Sequence, residues 1–281
     1  MSLVEPPRLH RPSLETFEAH VRDARPLIAT GLVEGWPAAS WDVKALEARC
    51  GDDLVPVERY GSEESRLGAW TTEKMPLREY LARVERGENV YLTTVLMSHH
   101  LPRLEVDLPP PSFISPERTR GQLAWYLFLG NRQRSETHFH PAVQAILVNL
   151  HGRKRVGLYA PEETERLYPY PWYEILGPER VPAFNWSRVL PGREELFPAA
   201  RRLAGYQCVL EPGEVLLIPI HWWHWAESLG PSISATLLFK RLRGDRISRR
   251  LALRSYCGNA QYALRAGVNL LLSSRRDRPR A

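Results

Sequence analysis

The sequence predicts a mainly β protein, an antiparallel barrel or double-sheet sandwich preceded by short αβ elements and followed by helices. Three observations lead there. From Gly121 onward, short apolar and β-branched runs alternate with turns: "GQLAWYLFLG", "AILVNLHG", "RVGLYAP", "YQCVLEPGEVLLIPI" and "SISATLLFK"; several such runs at modest spacing are the mark of a barrel or sandwich. Residues 211–214, "EPGE", are a tight-turn signal between two of these runs. On either side of this region the apolar period changes to that of a helix.

The elements follow in order. "SLETFEAHVRDA" opens on Ser13 as an N-cap, with Glu15 and Glu18 early in a helical pattern. "RPLIATGL" is a strand bounded by "EGWP", and "WDVKALEARCG" is a helix closed by Gly51. "MPLREYLARVERG" is an amphipathic helix ended by Gly87, and "NVYLTTVL", residues 89–96, is a β-branched strand. The proline-rich residues 101–118 read as a loop. After the β-rich region, "ISRRLALRSYCGNAQYALRAGVNLLLSS" returns to helical periodicity. No internal repeat of solenoid length is present. The domain reading is therefore one domain over residues 1–240, with an αβ layer over about 12–118 and a barrel core over about 119–240, then a basic helical extension over 241–281.

With 281 residues the chain is long enough for one large domain with a substantial core. No apolar run is long enough to cross a bilayer, and "MSLVEPPRLHRP" lacks the apolar stretch of a signal peptide. Cys50, Cys208 and Cys257 form neither a zinc spacing nor a disulfide framework, so a reducing, cytoplasmic setting is expected. The net charge of +6 is unevenly placed: residues 240–281 hold 12 Lys and Arg against two acids, a net of +10, which leaves −4 for the rest. Its end, "SSRRDRPRA", has no interleaved aromatics, so the tail reads as a solvated terminus rather than a nucleic-acid surface.

Chemistry concentrates in "RSETHFHPAVQAILVNLHGRKRVGLYAP", residues 134–161. Strand side chains alternate faces, so His138 and His140 point the same way. Alone, such a pair also fits two hydrogen-bonded core histidines. His224, in "LLIPIHWWHWAES", supplies a third imidazole, and three protein donors leave coordination positions open, as a catalytic metal requires. Lys154 lies between Arg153 and Arg155 and reads either as part of an exposed charge cluster or, since alternation sets it on the opposite face from both, as one inward cation between two outward ones. An inward lysine needs an anion, since a buried unpaired charge is costly. Parity places Trp222 on the face of His224 and Trp223 and Trp225 on the other, in packing roles. His221 has the wrong parity to join the site, and His99 and His100 are expected to face solvent.

From about Arg25 to Lys240 the chain resembles the JmjC-type, cupin-like iron(II)/2-oxoglutarate oxygenases, and among them most closely the asparaginyl hydroxylases. The stretches that carry the likeness are "RPLIATGLVEGWPAASWD", "MPLREYLARV", "NVYLTTVL", "HGRKRV", "ERLYPYP", "GYQCVLEPGEVLLIPIHWWHWAESL" and "SISATLLFK". Their order, with the proline-glycine turn and the WWH element, is more specific than any one of them. The resemblance implies a double-stranded β-helix with a helical N-terminal layer, and C-terminal helices that pair two copies. It implies His138 and His224 as metal ligands, with His140 in the middle-ligand place, and Lys154 and Tyr91 on the far carboxylate of 2-oxoglutarate. Ser135 and Thr236 fall at positions that touch the cosubstrate, and Gln144 and Trp222 at positions facing substrate. The implied activity is hydroxylation of a peptide or protein side chain, with a small molecule as another possible substrate.

The departures are specific. The family pattern is HxD or HxE where this chain has His140; Gln144 and Thr236 stand where asparagines are usual. The span from His138 to Gly152 is one residue longer than the pattern, which a β-bulge would absorb. Glu136 shares strand parity with both histidines, so a Glu136–His138–His224 triad is an alternative. A neutral imidazole in place of a carboxylate suits iron, copper, nickel or zinc. It leaves open a barrel that binds metal and 2-oxoglutarate without turning over.

Overall fold

The computed structural model describes residues 2–60, 70–88, 90–121, 124–170, 185–189, 194–257 and 260. Its strands are β1 (Ser2–Val4), β2 (Arg8–His10), β3 (Leu27–Thr30), β4 (Leu54–Tyr60), β5 (Trp70–Pro76), β6 (Val90–Leu96), β7 (Ala124–Asn131), β8 (Val143–His151), β9 (Lys154–Tyr159), β10 (Ala204–Leu210), β11 (Val215–Ile218), β12 (Trp223–Ser228) and β13 (Pro231–Lys240). Its helices are α1 (Leu14–Arg22), α2 (Val43–Cys50), α3 (Leu77–Glu85) and the short α4 (Met97–His100), α5 (Pro102–Glu105) and α6 (Pro116–Arg120). A further helix runs from 249 to 257.

Local chemistry accounts for the helix starts. The Ser13 hydroxyl accepts from the Thr16 N–H at 3.2 Å and the Asp42 carboxylate from the Ala45 N–H at 2.7 Å, so α1 and α2 begin with capped donors. Where the sequence suggested an unbroken loop over 101–118, α5 and α6 form instead. Each starts on a proline, whose fixed φ suits a first helical turn even where no long apolar period follows.

Two sheets make the barrel. One has the order β1-β10-β9-β12 and the other β2-β3-β11-β8-β13-β7-β6-β4-β5. This is the mainly β, double-sheet fold with flanking helices that the sequence predicts. The outer face of the larger sheet carries the main core: Ile146, Val148, Leu127, Leu129, Ala235 and Leu237 pack under Phe17, Leu46 and Tyr80 from the helical layer. Between the sheets, Ala145, Leu147, Val156, Leu158, Cys208 and Leu216 fill part of the lumen. A third cluster, with Phe139, Trp223, Trp225 and Leu251, seats the first turn of helix 249–257 on the outer face of the smaller sheet.

The extra residue between His138 and Gly152 is taken up at one place. Ile233 pairs with His151 and Ser234 with Asn149, so Leu150 bulges out of the β8–β13 ladder. Gly152 closes the next turn at φ +67, and a Cβ there would lie 2.1 Å from the Pro231 carbonyl oxygen. Only glycine fits.

An ion network fixes the chain beyond β13. Arg118, on α6, donates to both carboxylate oxygens of Asp245 at 2.8 and 2.9 Å and to Glu18 of α1 at 2.8 Å. Asp245 also accepts from the Gln144 side-chain amide and the Leu242 N–H. The pairing and hydrogen bonds offset the desolvation that a buried guanidinium incurs. No helix among the described residues is long and apolar enough to cross a membrane.

Candidate metal centre

His138 and His140 sit on an extended segment just before β8, and His224 is the second residue of β12. The two pieces are joined by a pair of reciprocal backbone hydrogen bonds: the His138 N–H donates to the His224 carbonyl at 2.9 Å and the His224 N–H to the His138 carbonyl at 2.7 Å. Directly opposed residues of an antiparallel pair share a face, so the two imidazoles meet, and alternation brings His140 beside them. The ring centroids lie 4.4 Å apart for His138–His224, 4.7 Å for His140–His224 and 5.5 Å for His138–His140. One nitrogen from each lies within 4.8 Å of the others.

Two of the rings are locked. The His138 Nδ1–H donates to the Glu136 carbonyl at 2.9 Å and the His224 Nδ1–H to the Trp222 carbonyl at 3.0 Å, which leaves both Nε2 lone pairs for a ligand. His140 Nδ1 is buried with no partner among the described residues. Burial pushes all three imidazoles toward the neutral form: His138 is lowered, His140 is lowered to about 3 with His138 beside it, and His224 falls well below the ordinary value. Neutral imidazoles are the form that binds a metal. Locked tautomers, an orphaned nitrogen and closely grouped neutral donors fit a divalent ion. The cluster contains His140 and not the Glu136 carboxylate.

The lumen has a second polar end. Lys154, the first residue of β9, is 1% exposed, and its Nζ donates to the Ser234 hydroxyl at 2.6 Å. Among the described residues it has no carboxylate partner, and desolvation pushes its pKa down to about 7. The Phe128 ring lies 5.9 Å away. Tyr91 reaches the same end: a Cβ on Gly130, two residues along β7 from Phe128, would meet the Tyr91 ring at 2.9 Å. Ser232, Ser234 and Thr236 form a buried hydroxyl-bearing row on β13, and Asn149, opposite Ser234, turns its amide nitrogen to the Gly152 and Leu210 carbonyls. On the smaller sheet, Ser228 pairs with Lys154 and His224 with Leu158. Four residues of strand, about 13 Å, thus separate the lysine level from the histidine level on one inner face.

Other residues named from the sequence fall in different places. The Ser135 hydroxyl accepts from the Ala226 N–H at 3.0 Å, so it ties the histidine-bearing segment to β12. Trp222 faces the lumen cluster, where its indole N–H donates to the Ala24 carbonyl and its ring stacks on Tyr206. Gln144 is not brought to the site: it has the opposite parity to Ala145 and Leu147, and its amide is held by Asp245. His221 also stands apart, left-handed at φ 64 with Nε2 against the Pro141 carbonyl. His99 is exposed and His100 half-buried. Within "YPYPWY", Tyr168 and Tyr170 are described, while Trp172 and Tyr173 lie outside the described residues.

One neighbour had no signal in the sequence. Trp186 bridges to His138, with ring centroids 6.2 Å apart, because residues 185–187 pair with 137–139. Its segment, "FNWSRV", has neither a motif nor a clear strand period.

Comparison with known proteins agrees with the fold. Residues 13–243 match the family model described as a cupin-like domain. The chain is 30% identical over 246 residues to "Jumonji C domain-containing protein 5" of Drosophila melanogaster, covering 82% of this chain and 58% of that protein. It is 28% identical to "Lysine-specific demethylase 8" of Xenopus tropicalis, covering 82% and 52%, and 26% identical to "HSPB1-associated protein 1 homolog" of Danio rerio, covering 74% and 50%. The chain thus spans little more than half the length of these relatives. Their names do not carry the closeness to asparaginyl hydroxylases that the motifs suggested. The chain belongs to the cupin-like, JmjC-type family, which includes iron(II)- and 2-oxoglutarate-dependent oxygenases.

Proposed function

We propose that this protein is an iron(II)- and 2-oxoglutarate-dependent oxygenase that hydroxylates a side chain of a peptide or protein. The observation that carries the reading is the pairing, within one lumen, of a three-imidazole cluster with a buried lysine that has no carboxylate partner among the described residues. A diacid with a chelating end needs that arrangement: donors for a metal at one level and a cation at the other. When bound, iron and 2-oxoglutarate supply the oxidising chemistry, in which dioxygen is consumed, the cosubstrate becomes succinate and carbon dioxide, and a substrate C–H bond gains oxygen.

In this reading His138, His140 and His224 hold the metal. The tautomers of His138 and His224 are fixed by the Glu136 and Trp222 carbonyls, so these two bind without reorienting. Lys154 grips the far carboxylate, with Tyr91, Ser234 and Thr236 around it, and Ser135 holds the His138 segment against β12. The apolar side chains Val156, Leu158 and Leu147 exclude water from the path between the two ends. A macromolecular substrate is supported by the relatives named as lysine-specific demethylases, and Trp186 offers an aromatic face beside His138.

The test is anaerobic addition of iron(II) and 2-oxoglutarate to the purified protein, followed by oxygen. The expected result is the visible absorption of the metal-bound oxo acid, its decay on admitting oxygen, and stoichiometric succinate, all lost in Lys154→Ala. No absorption band with iron and cosubstrate in excess refutes the reading. A band without succinate, unchanged by a peptide library, favours the second reading, a binding module without turnover. The specific reason for that alternative is His140, an uncharged donor where the family pattern has a carboxylate.

A further inference from the structure

Three nitrogens and no carboxylate make up the cluster among the described residues. Glu227, on the same strand as His224, faces outward to Arg155 at 3.0 Å. Glu136 contributes its backbone carbonyl to His138, while its carboxylate is not a member of the group. The metal would therefore meet only neutral, borderline-soft donors from this cluster. Imidazole suits zinc, copper, nickel and iron, whereas manganese(II) and magnesium(II) prefer carboxylate, carbonyl and water oxygens.

We infer that this centre selects nitrogen-preferring divalent ions over manganese(II) and magnesium(II), and that His140 is the residue that sets the selection. The inference rests on the metal-binding part of the proposed function and not on turnover. A carboxylate at 140 would add a negative charge and a hard oxygen. It would strengthen binding of every dication through charge, and of the oxygen-preferring ions most. With imidazole at 140, the preference between zinc and manganese is set by nitrogen alone. The ring is well placed for this role: it lies 4.7 Å from His224 and 5.5 Å from His138, and its Nδ1 has no partner among the described residues.

Two measurements on the full chain test this without any cosubstrate. In the first, apo-protein competes with a chromophoric chelator for zinc(II), nickel(II), cobalt(II) and manganese(II), in the wild type and in His140→Asp. The zinc-to-manganese affinity ratio is expected to fall by about tenfold or more in the variant, mainly through tighter manganese binding. In the second, copper(II) is bound to the wild type and its nitrogen couplings are counted by paramagnetic resonance. Three imidazole nitrogens are expected, and two in His140→Asp. An unchanged ratio overturns the inference, as does a wild-type copper centre with two nitrogens; that count needs no variant to fold. Three nitrogens with no succinate would leave the selection standing and remove the oxygenase reading. Succinate from a two-nitrogen centre would do the reverse, and no metal bound by the wild type would remove both.

Discussion

Replacing Lys154 by methionine should make the protein without cosubstrate more stable below neutral pH and abolish a pH dependence that the wild type shows. The ammonium is 1% exposed, and desolvation lowers its pKa from 10.5 to about 7. Between those values the unfolded chain carries a proton on this lysine that the folded chain does not. Unfolding then takes up a proton, so wild-type stability rises with pH from about 7 to 10.5, and the penalty is present in full below 7. At 1.36 kcal/mol per pH unit, the gap amounts to about 5 kcal/mol as an upper bound. Methionine retains the length of the side chain but loses the 2.6 Å hydrogen bond to Ser234 and leaves that buried hydroxyl unpaired, a cost of about 1–3 kcal/mol. The variant should thus gain about 2–4 kcal/mol at pH 6 and lose about 1–3 kcal/mol relative to wild type above pH 10.5.

Urea denaturation of both proteins at pH 6 to 10.5 reads the difference directly, because groups common to the two cancel. A difference that stays flat across that range would refute the reasoning, since it would mean that Lys154 titrates alike in the folded and unfolded chains. Added 2-oxoglutarate supplies the opposite test. A dianion beside the ammonium should stabilise the wild type at pH 6, while Lys154→Met should show little response.

The remaining predictions concern packing, the ion network and the rim. Gly152→Ala forces a Cβ to 2.1 Å from the Pro231 carbonyl oxygen at a left-handed φ; thermal unfolding should show a loss of at least about 2 kcal/mol. Asp245→Ala leaves the Arg118 guanidinium with Glu18 as its one carboxylate partner among the described residues and takes the acceptor from the Gln144 amide, so denaturation should reveal a loss of about 3 kcal/mol, the low end for a broken buried pair, whereas the paired replacement Arg118→Leu with Asp245→Leu should cost less than the single change. Ser135→Ala removes the acceptor for the Ala226 N–H; stability should fall by about 1 kcal/mol, with metal affinity falling alongside as the His138 segment loosens. Trp186 lies 6.2 Å from His138, so copper(II) or nickel(II) should quench part of the tryptophan fluorescence, and Trp186→Phe should remove that part without changing the metal titration.

What the sequence showed and what it hid divide along the range of the interactions involved. Strands β7, β8, β9, β11 and β13 were legible because each is a compact apolar run bounded by a turn, and α1 because Ser13 and its apolar period are local. The hairpin of β4 and β5 is not legible: "LVPVERY" and "WTTEKMP" contain proline or charge where a strand pattern expects alternation, and the pairing of β4 with both β5 and β6 is what makes them strands. The histidine cluster was legible in part. Parity alone put His138 and His140 on one face, but only the backbone bridge to His224 brings the third imidazole in and leaves Glu136 outside the group. Gln144 shows the opposite failure. Its position in the motif suggested substrate, yet parity sets it opposite Ala145, and Asp245, 101 residues later, takes its amide. Trp186 is a further case, reaching His138 because residues 185–187 pair with 137–139. Local patterns name donors that share a strand. Which donors meet is decided by pairings between distant segments, and here those pairings gather three neutral nitrogens at one level of the lumen and leave the buried Lys154 amine at the other.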